Sequence, residues 1–204
     1  MTVDRYGRPI INLRIAVTQQ CNLECFYCHR EGQFHSSADM SPKEIATIAS
    51  ISTEFGVRKV KITGGEPMLR SDLGEIILKL REIPGLDEIS MVTNGRLLTF
   101  EKAVDLKKNG LSRVNISFPS TRDDAYRRVT GASLEDANKG IQSAIKAGLD
   151  PVKINTVVMR GVNDSEIDQL INYAERLGVV LQLIELEPVN NGEQSYMTYH
   201  CPLD

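Results

Sequence analysis

The sequence predicts an α/β chain folded as a partial (βα)6 TIM-like barrel. Three observations predict it. Short apolar segments alternate with longer amphipathic ones in regular order, giving six βα repeats. Such alternation implies a parallel sheet with right-handed crossovers. Every chemically unusual segment follows a strand, at the edge where β/α barrels build their sites. Six repeats are too few to close the eightfold barrel.

The first strand is read at 11–18, "INLRIAVT", and the segment "TQQCNLECFYC" follows it. A helix is expected over 41–56. Ser41 is its N-cap, Pro42 lies in its first turn, Glu44 completes a capping box and Gly56 stops it. Strand two is 57–63, followed by "GGEP", and a helix runs from Ser71 to about Glu82. Strand three is 88–93, with a helix over Thr99–Asn109 whose run "EKAVDLKK" reads as a solvated face. Strand four is 112–118, with a helix from near Ser133 to Gly148. Strand five is 152–158, with a helix over Ser165–Gly178. Strand six is 179–186.

The 204 residues suit one domain, and 41% hydrophobic with 25% charged residues is an ordinary globular balance. A net charge of −3 gives no basic excess, so composition does not point to a nucleic-acid partner. No apolar run reaches the roughly 18 residues of a membrane span. The opening "MTVDRYGRPI" is unlike a signal peptide. The cytoplasm is the expected compartment, where clustered cysteines are metal or redox groups more often than disulfides.

Strand side chains alternate between two faces. Leu13, Ile15, Val17, Val60, Ile62, Val114, Ile116, Phe118 and Ile154 fall on the apolar parity, which packs under the helices. The other parity carries Arg14, Lys61, Asn115, Ser117, Lys153 and Asn155, and Glu185 is assigned inward with them. Three cations in a lumen that normally holds branched apolar residues need an anionic partner. Strand ends reaching solvent are the plainer alternative.

Cys21, Cys25 and Cys28 are spaced C-x3-C-x2-C, and the fourth cysteine is Cys201. Three thiolates suit a zinc site completed by a fourth ligand, or a four-iron cluster with one iron left open. Unligated thiols are the third choice. His29, beside Cys28, reads as a solvated loop histidine, and 29–40 as a mobile loop over the site.

"CNLECFYC", with Tyr27 before the last cysteine, resembles the signature of radical SAM enzymes, and "GGEP" (64–67) resembles their glycine-rich SAM motif. The resemblance implies a [4Fe-4S] cluster on Cys21, Cys25 and Cys28 and S-adenosylmethionine (SAM) on its open iron. A single electron then cleaves SAM to a 5′-deoxyadenosyl radical. Gly64 and Gly65 permit close backbone approach, and Glu66 is assigned to accept from the methionine ammonium. The implied fold is again a partial (βα)6 barrel.

Over nearly the whole chain the sequence is similar to the GTP 3′,8-cyclases of molybdenum cofactor biosynthesis. "VKITGGEPMLR", "RVNISF", "VKINTVVMRGVND" and "LIELEPV" carry that likeness. It implies that Tyr27, Gly65 and Ser117 contact SAM and that Arg14, Lys61 and Lys153 contact GTP. Lys61 stands where bacterial members have arginine, Val92 replaces a threonine, and Glu187 replaces a methionine near SAM. It also implies a reducing donor such as ferredoxin or flavodoxin and a downstream cyclic pyranopterin monophosphate synthase, with no nucleic-acid or membrane partner; a homodimer is compatible with it. Residues 1–186 would be the core and 187–204 the start of a further region. Those cyclases bear a second [4Fe-4S] cluster on three more cysteines. Only Cys201 remains here to serve it, so Cys201 is read as a bystander. A radical SAM enzyme acting on another substrate, such as a peptide, and a non-catalytic zinc-binding module are the alternatives.

Overall fold

The computed structural model describes residues 2–28, 38–188 and 193–203. Six strands form one sheet in sequential order: β1 (Asn12–Ala16), β2 (Lys59–Thr63), β3 (Glu88–Thr93), β4 (Arg113–Ser117), β5 (Val152–Val158) and β6 (Val180–Glu185). All neighbours run parallel. The sheet is open, with β1 and β6 as its edges, and is the partial barrel that the repeats predict.

The crossovers carry α1 (Pro42–Glu54), α2 (Leu73–Arg81), α3 (Phe100–Asn109), α4 (Asp123–Thr130) with α5 (Leu134–Lys146), and α6 (Ile167–Leu177). Local chemistry sets their starts. The Ser41 hydroxyl accepts from Glu44 N, while Glu44 Oε2 accepts from Ser41 N at 2.8 Å. Such a cap stabilises a helix by about 1 kcal/mol. The Thr99 and Ser133 hydroxyls accept from Lys102 N and Glu135 N and cap α3 and α5. The "EKAVDLKK" run is the wet face of α3, since only Ala103 and Leu106 of that helix are buried.

The core lies between the outer face of the sheet and the helices. Ile15, Val60, Ile62, Met91, Val114, Ile116 and Ile154 pack there with Ile45, Ile76, Leu80, Ile141 and Leu170. This leaves Arg14, Lys61, Asn115, Ser117, Lys153 and Asn155 on the inner face, as their parity predicts. Glu185 departs from its assignment. It pairs in register with Val158, of the outward parity, and its Oε1 meets His200 Nε2 at 2.6 Å.

Two helices are additions to the sequence reading. Helix α4 fills the stretch between β4 and α5, and α7 (Glu193–Tyr199) follows β6. The segment after α7 returns to the rim of β5, where Arg160 N donates to Tyr199 O at 2.8 Å. Among the described residues no helix is long and apolar enough to cross a membrane.

Candidate active site

At the C-terminal edge of the sheet a cavity of 170 Å³ is lined by Cys21, Cys25, Tyr27 and Cys28 after β1 and by Thr63–Glu66 after β2. Val92–Asn94, Ser117, Pro119, Tyr126 and Thr130 complete it from β3, β4 and α4. Four of the six strand edges therefore converge on one space. The sequence-predicted residues Cys21, Cys25, Cys28, Tyr27, Gly64, Gly65, Glu66 and Ser117 all line it; Cys201 and Glu187 do not. His29 and the segment 29–37 lie outside the described residues.

The glycines of "GGEP" are required by the chain itself. A Cβ on Gly65 would stand 2.1 Å from Gln20 O, and one on Gly64 would stand 2.3 Å from Thr18 O. Gly64 also has φ +139°, where side chains are rare. This closeness lets Gly65 N donate to Thr18 O (2.8 Å) and Glu66 N to Gln20 O (2.7 Å). The edge of β2 thus holds the segment that leads into the cysteines.

Glu66 is 1% exposed. Its Oε1 accepts from Thr93 Oγ1 (2.6 Å) and Met68 N (3.0 Å), and its Oε2 from Asn94 N (2.7 Å). A carboxylate oxygen accepts two bonds, so Oε2 keeps one accepting direction. Burial raises the carboxyl above its usual range, against the hydrogen bonds from Asn94, Thr93 and Met68. Asn94 Nδ2 then donates to Asn22 Oδ1 at 2.7 Å, inside the cysteine loop.

The other side of that loop rests on α4. Glu24 N and Phe26 N, flanking Cys25, donate to Thr130 O and Val129 O at 3.4 and 3.3 Å. These are carbonyls of the last helical turn, which have no partner inside the helix. The sequence reading missed this support, although Ala125, Tyr126, Val129 and Thr130 fall at helical spacing before Gly131.

Burial pushes the Cys25 thiol up to about 12, with the charges of Cys28 and Cys21 adding. Burial also raises Cys21, opposed by the Leu23 backbone and reinforced by Glu66 and Cys28. Three thiolates here repel one another unless a cationic centre holds them. Among the described residues no three His, Cys, Asp or Glu side chains converge closely enough to hold a single metal ion. One tetrahedral zinc ion would bring its sulfurs to about 3.8 Å from each other, from bonds of about 2.3 Å. A four-iron cluster takes each thiolate on a separate iron and asks for a wider set. The donor set and the cavity fit a four-iron cluster with one iron left open.

Below the cavity lie the cations. Lys153 shares a row with Asn115 and Val92, and Val92 lines the cavity. One step deeper, Arg14, Lys61, Ser90 and Arg113 form the next row. Arg14 is exposed and Lys61 and Lys153 are half-buried, so the open barrel leaves solvent at these charges. Burial lowers the Lys61 ammonium, and Arg113, Arg14 and Lys153 lower it further. Arg113, like Lys59 of the same inner parity, is a cation that the sequence reading missed. It pairs with Glu88 at 2.9 Å and donates to Asn115 Oδ1 at 2.8 Å.

A sequence profile described as the Radical SAM superfamily matches residues 15–174. The chain is 47% identical over 196 residues to a probable GTP 3′,8-cyclase of Pyrococcus abyssi, covering 96% of this chain and 63% of that protein. It is 48% identical to a protein of the same description from Thermococcus kodakarensis, covering 100% of this chain and 66% of that one. The chain thus spans somewhat less than two thirds of these relatives. Among solved structures, Streptococcus suis SuiB bound to S-adenosylmethionine superposes with TM-score 0.77 at 18% identity, over 89% of this chain and 42% of that one. Native anSMEcpe with bound AdoMet superposes with TM-score 0.73 at 19% identity, over 87% and 52%. At such identities the likeness is one of fold.

Proposed function

The chain belongs to the radical SAM superfamily, and on that premise we propose that it is the core of a GTP 3′,8-cyclase of molybdenum cofactor biosynthesis. The observation that carries the substrate is the pair of cationic rows directly beneath the cysteine cavity. A triphosphate is a polyanion that such a cluster of cations can attract. The high identity to proteins described as probable GTP 3′,8-cyclases supports the same reading.

Cys21, Cys25 and Cys28 would hold a [4Fe-4S] cluster. Tyr27, Gly64, Gly65, Glu66 and Ser117 would wall the SAM site beside it. Bound there, the cluster supplies the electron that cleaves SAM to a 5′-deoxyadenosyl radical. Arg14, Lys61 and Lys153 would hold the triphosphate and so fix the height of the sugar against the rim. Ferredoxin or flavodoxin would reduce the cluster, and cyclic pyranopterin monophosphate synthase would take the product, in the cytoplasm. The second [4Fe-4S] cluster of this activity has no cysteine set in the present sequence, where Cys201 alone follows β6.

The test is anaerobic iron–sulfur reconstitution, then dithionite and SAM with and without GTP. A brown protein that releases 5′-deoxyadenosine, a Cys25→Ala variant that does not, and a response to GTP are expected. A colourless protein holding one zinc ion overturns the reading at its first step.

A further inference from the structure

The segment after β5, "MRGVND" (159–164), lines none of the cysteine cavity. Its polar side chains turn to the neighbouring edge. The backbone ladder between β4 and β5 ends where Phe118 N donates to Asn155 O at 2.8 Å. Beyond that point side chains from β5 and from the turn after it continue the pairing. Thr156 Oγ1 donates to Phe118 O at 2.7 Å. Asn163 Nδ2 donates to Pro119 O at 2.6 Å and to Val157 O at 2.9 Å, while its Oδ1 accepts from Met159 N at 2.7 Å. Glu166 Oε2 accepts from Ser120 Oγ at 2.6 Å and lies 3.2 Å from both N and Oγ1 of Thr121. Its other oxygen faces Arg122 Nε at 3.6 Å. Ser120 Oγ in turn accepts from Arg122 N at 2.9 Å, at the start of α4. Residues 118–121 are thus held one after another. Thr156, Asn163 and Glu166 are all buried, so water does not compete for these bonds.

We propose that Thr156, Asn163 and Glu166 are positioning residues for the SAM site, which fix its β4 wall at one distance from the cysteines. Ser117 and Pro119 line the cavity directly, and α4, which the held segment enters, contributes Tyr126 and Thr130. None of the three positioning residues lines the cavity; they act from one layer behind it. A segment without a ladder could drift, and small misplacements of a bound reactant are expensive. Buried side-chain bonds replace the ladder and remove that freedom. The inference rests on the SAM reading made above.

The test uses Glu166→Leu, which keeps the bulk and deletes the acceptor, and Glu166→Gln, which keeps an accepting oxygen. Thr156→Val is nearly isosteric and removes one bond alone; it carries the same test if Glu166→Leu does not fold. Two quantities are read. In the full chain before iron is added, hydrogen exchange at Tyr126 N, which bonds to Arg122 O, should quicken several-fold in Glu166→Leu while the amides of β2 keep their wild-type protection. After reconstitution, the KM for SAM in 5′-deoxyadenosine release should rise about tenfold in Glu166→Leu and about threefold in Thr156→Val, with kcat within about twofold of wild type. Glu166→Gln should stay near wild type in both measurements. An unchanged KM in a folded Glu166→Leu or Thr156→Val overturns the inference. So does protection lost evenly over the sheet with kcat lowered and KM kept, which marks residues that only stabilise the fold. Glu166→Gln as impaired as Glu166→Leu also overturns it, because the accepting oxygen is then not what Glu166 supplies. A wild-type chain that takes up no iron and releases no 5′-deoxyadenosine sinks the SAM reading and this inference together, whereas equal KM values in brown proteins sink this inference alone.

Discussion

At the rim, Glu66 is 1% exposed and its oxygens accept three hydrogen bonds. Deeper on the same inner face, Arg14 stands exposed and Lys61 and Lys153 are half-buried. The rim is thus buried and fixed by backbone and short hydrogen bonds, whereas the lower rows carry partly solvated cations, of which Arg113 is tied to Glu88 and Asn115. The difference suits two tasks. A site that must hold a reactive group at one distance gains from rigidity. A site that must draw in a polyanion gains from field, which partly solvated cations supply. Lesions at the rim should therefore act in all-or-none fashion, and lesions below it by degrees.

The largest effect is expected from Glu66→Ala. It strands the Thr93 hydroxyl and the amides of Asn94 and Met68. Each stranded donor costs about 1–3 kcal/mol, so urea unfolding should lose at least about 3 kcal/mol and reconstitution should fail. Next comes Gly65→Ala, whose Cβ meets backbone at 2.1 Å. Overpacking of this kind costs about 1–3 kcal/mol, and iron uptake should fall with it. A smaller effect is expected below the rim. Lys153→Met should weaken GTP binding about tenfold at low salt and less at high salt, by titration calorimetry, because the charge is partly screened. An equal loss at both salt levels would show a dry contact rather than a field.

The smallest effect concerns pH. Burial holds the Glu66 carboxyl above its ordinary range. The native chain then binds that proton more tightly than the unfolded chain. The resulting contribution to stability is present at acid pH and is lost as pH rises through the raised value. Relative to Glu66→Gln, the wild-type unfolding free energy should decline as pH rises above the ordinary glutamate value of about 4.3. A difference that stays level, or that grows with pH, would mean that the hydrogen bonds from Asn94 and Thr93 outweigh burial.

The same contrast separates what could be read in the sequence from what could not. The repeats, the Ser41 capping box and the strand parity are local signals with fixed periods, and each element they predict is present. The cysteine spacing stood out as a local pattern, and "GGEP" through its resemblance to the radical SAM motif. Two things were not. The reason for Gly64 and Gly65 lies in distant backbone, at Thr18 and Gln20, and no local pattern shows that approach. Helix α4 is only eight residues long and lies against a longer neighbour, so its stripe of Ala125, Tyr126, Val129 and Thr130 was overlooked. Arg113 escaped because it opens its strand, and only the pairing with Ser90 places it in the row of Arg14 and Lys61. Glu185 was placed inward because strand six lacks clear alternation, whereas its register with Val158 and its bond to His200 turn it outward.

The most direct measurement of the central claim is 5′-deoxyadenosine release by reconstituted Lys153→Met with and without GTP. If the rim and the cationic rows divide the work, the variant cleaves SAM at the wild-type rate without GTP and needs about tenfold more GTP for the same response. If cleavage collapses in both conditions, Lys153 supports the rim itself and the division is wrong.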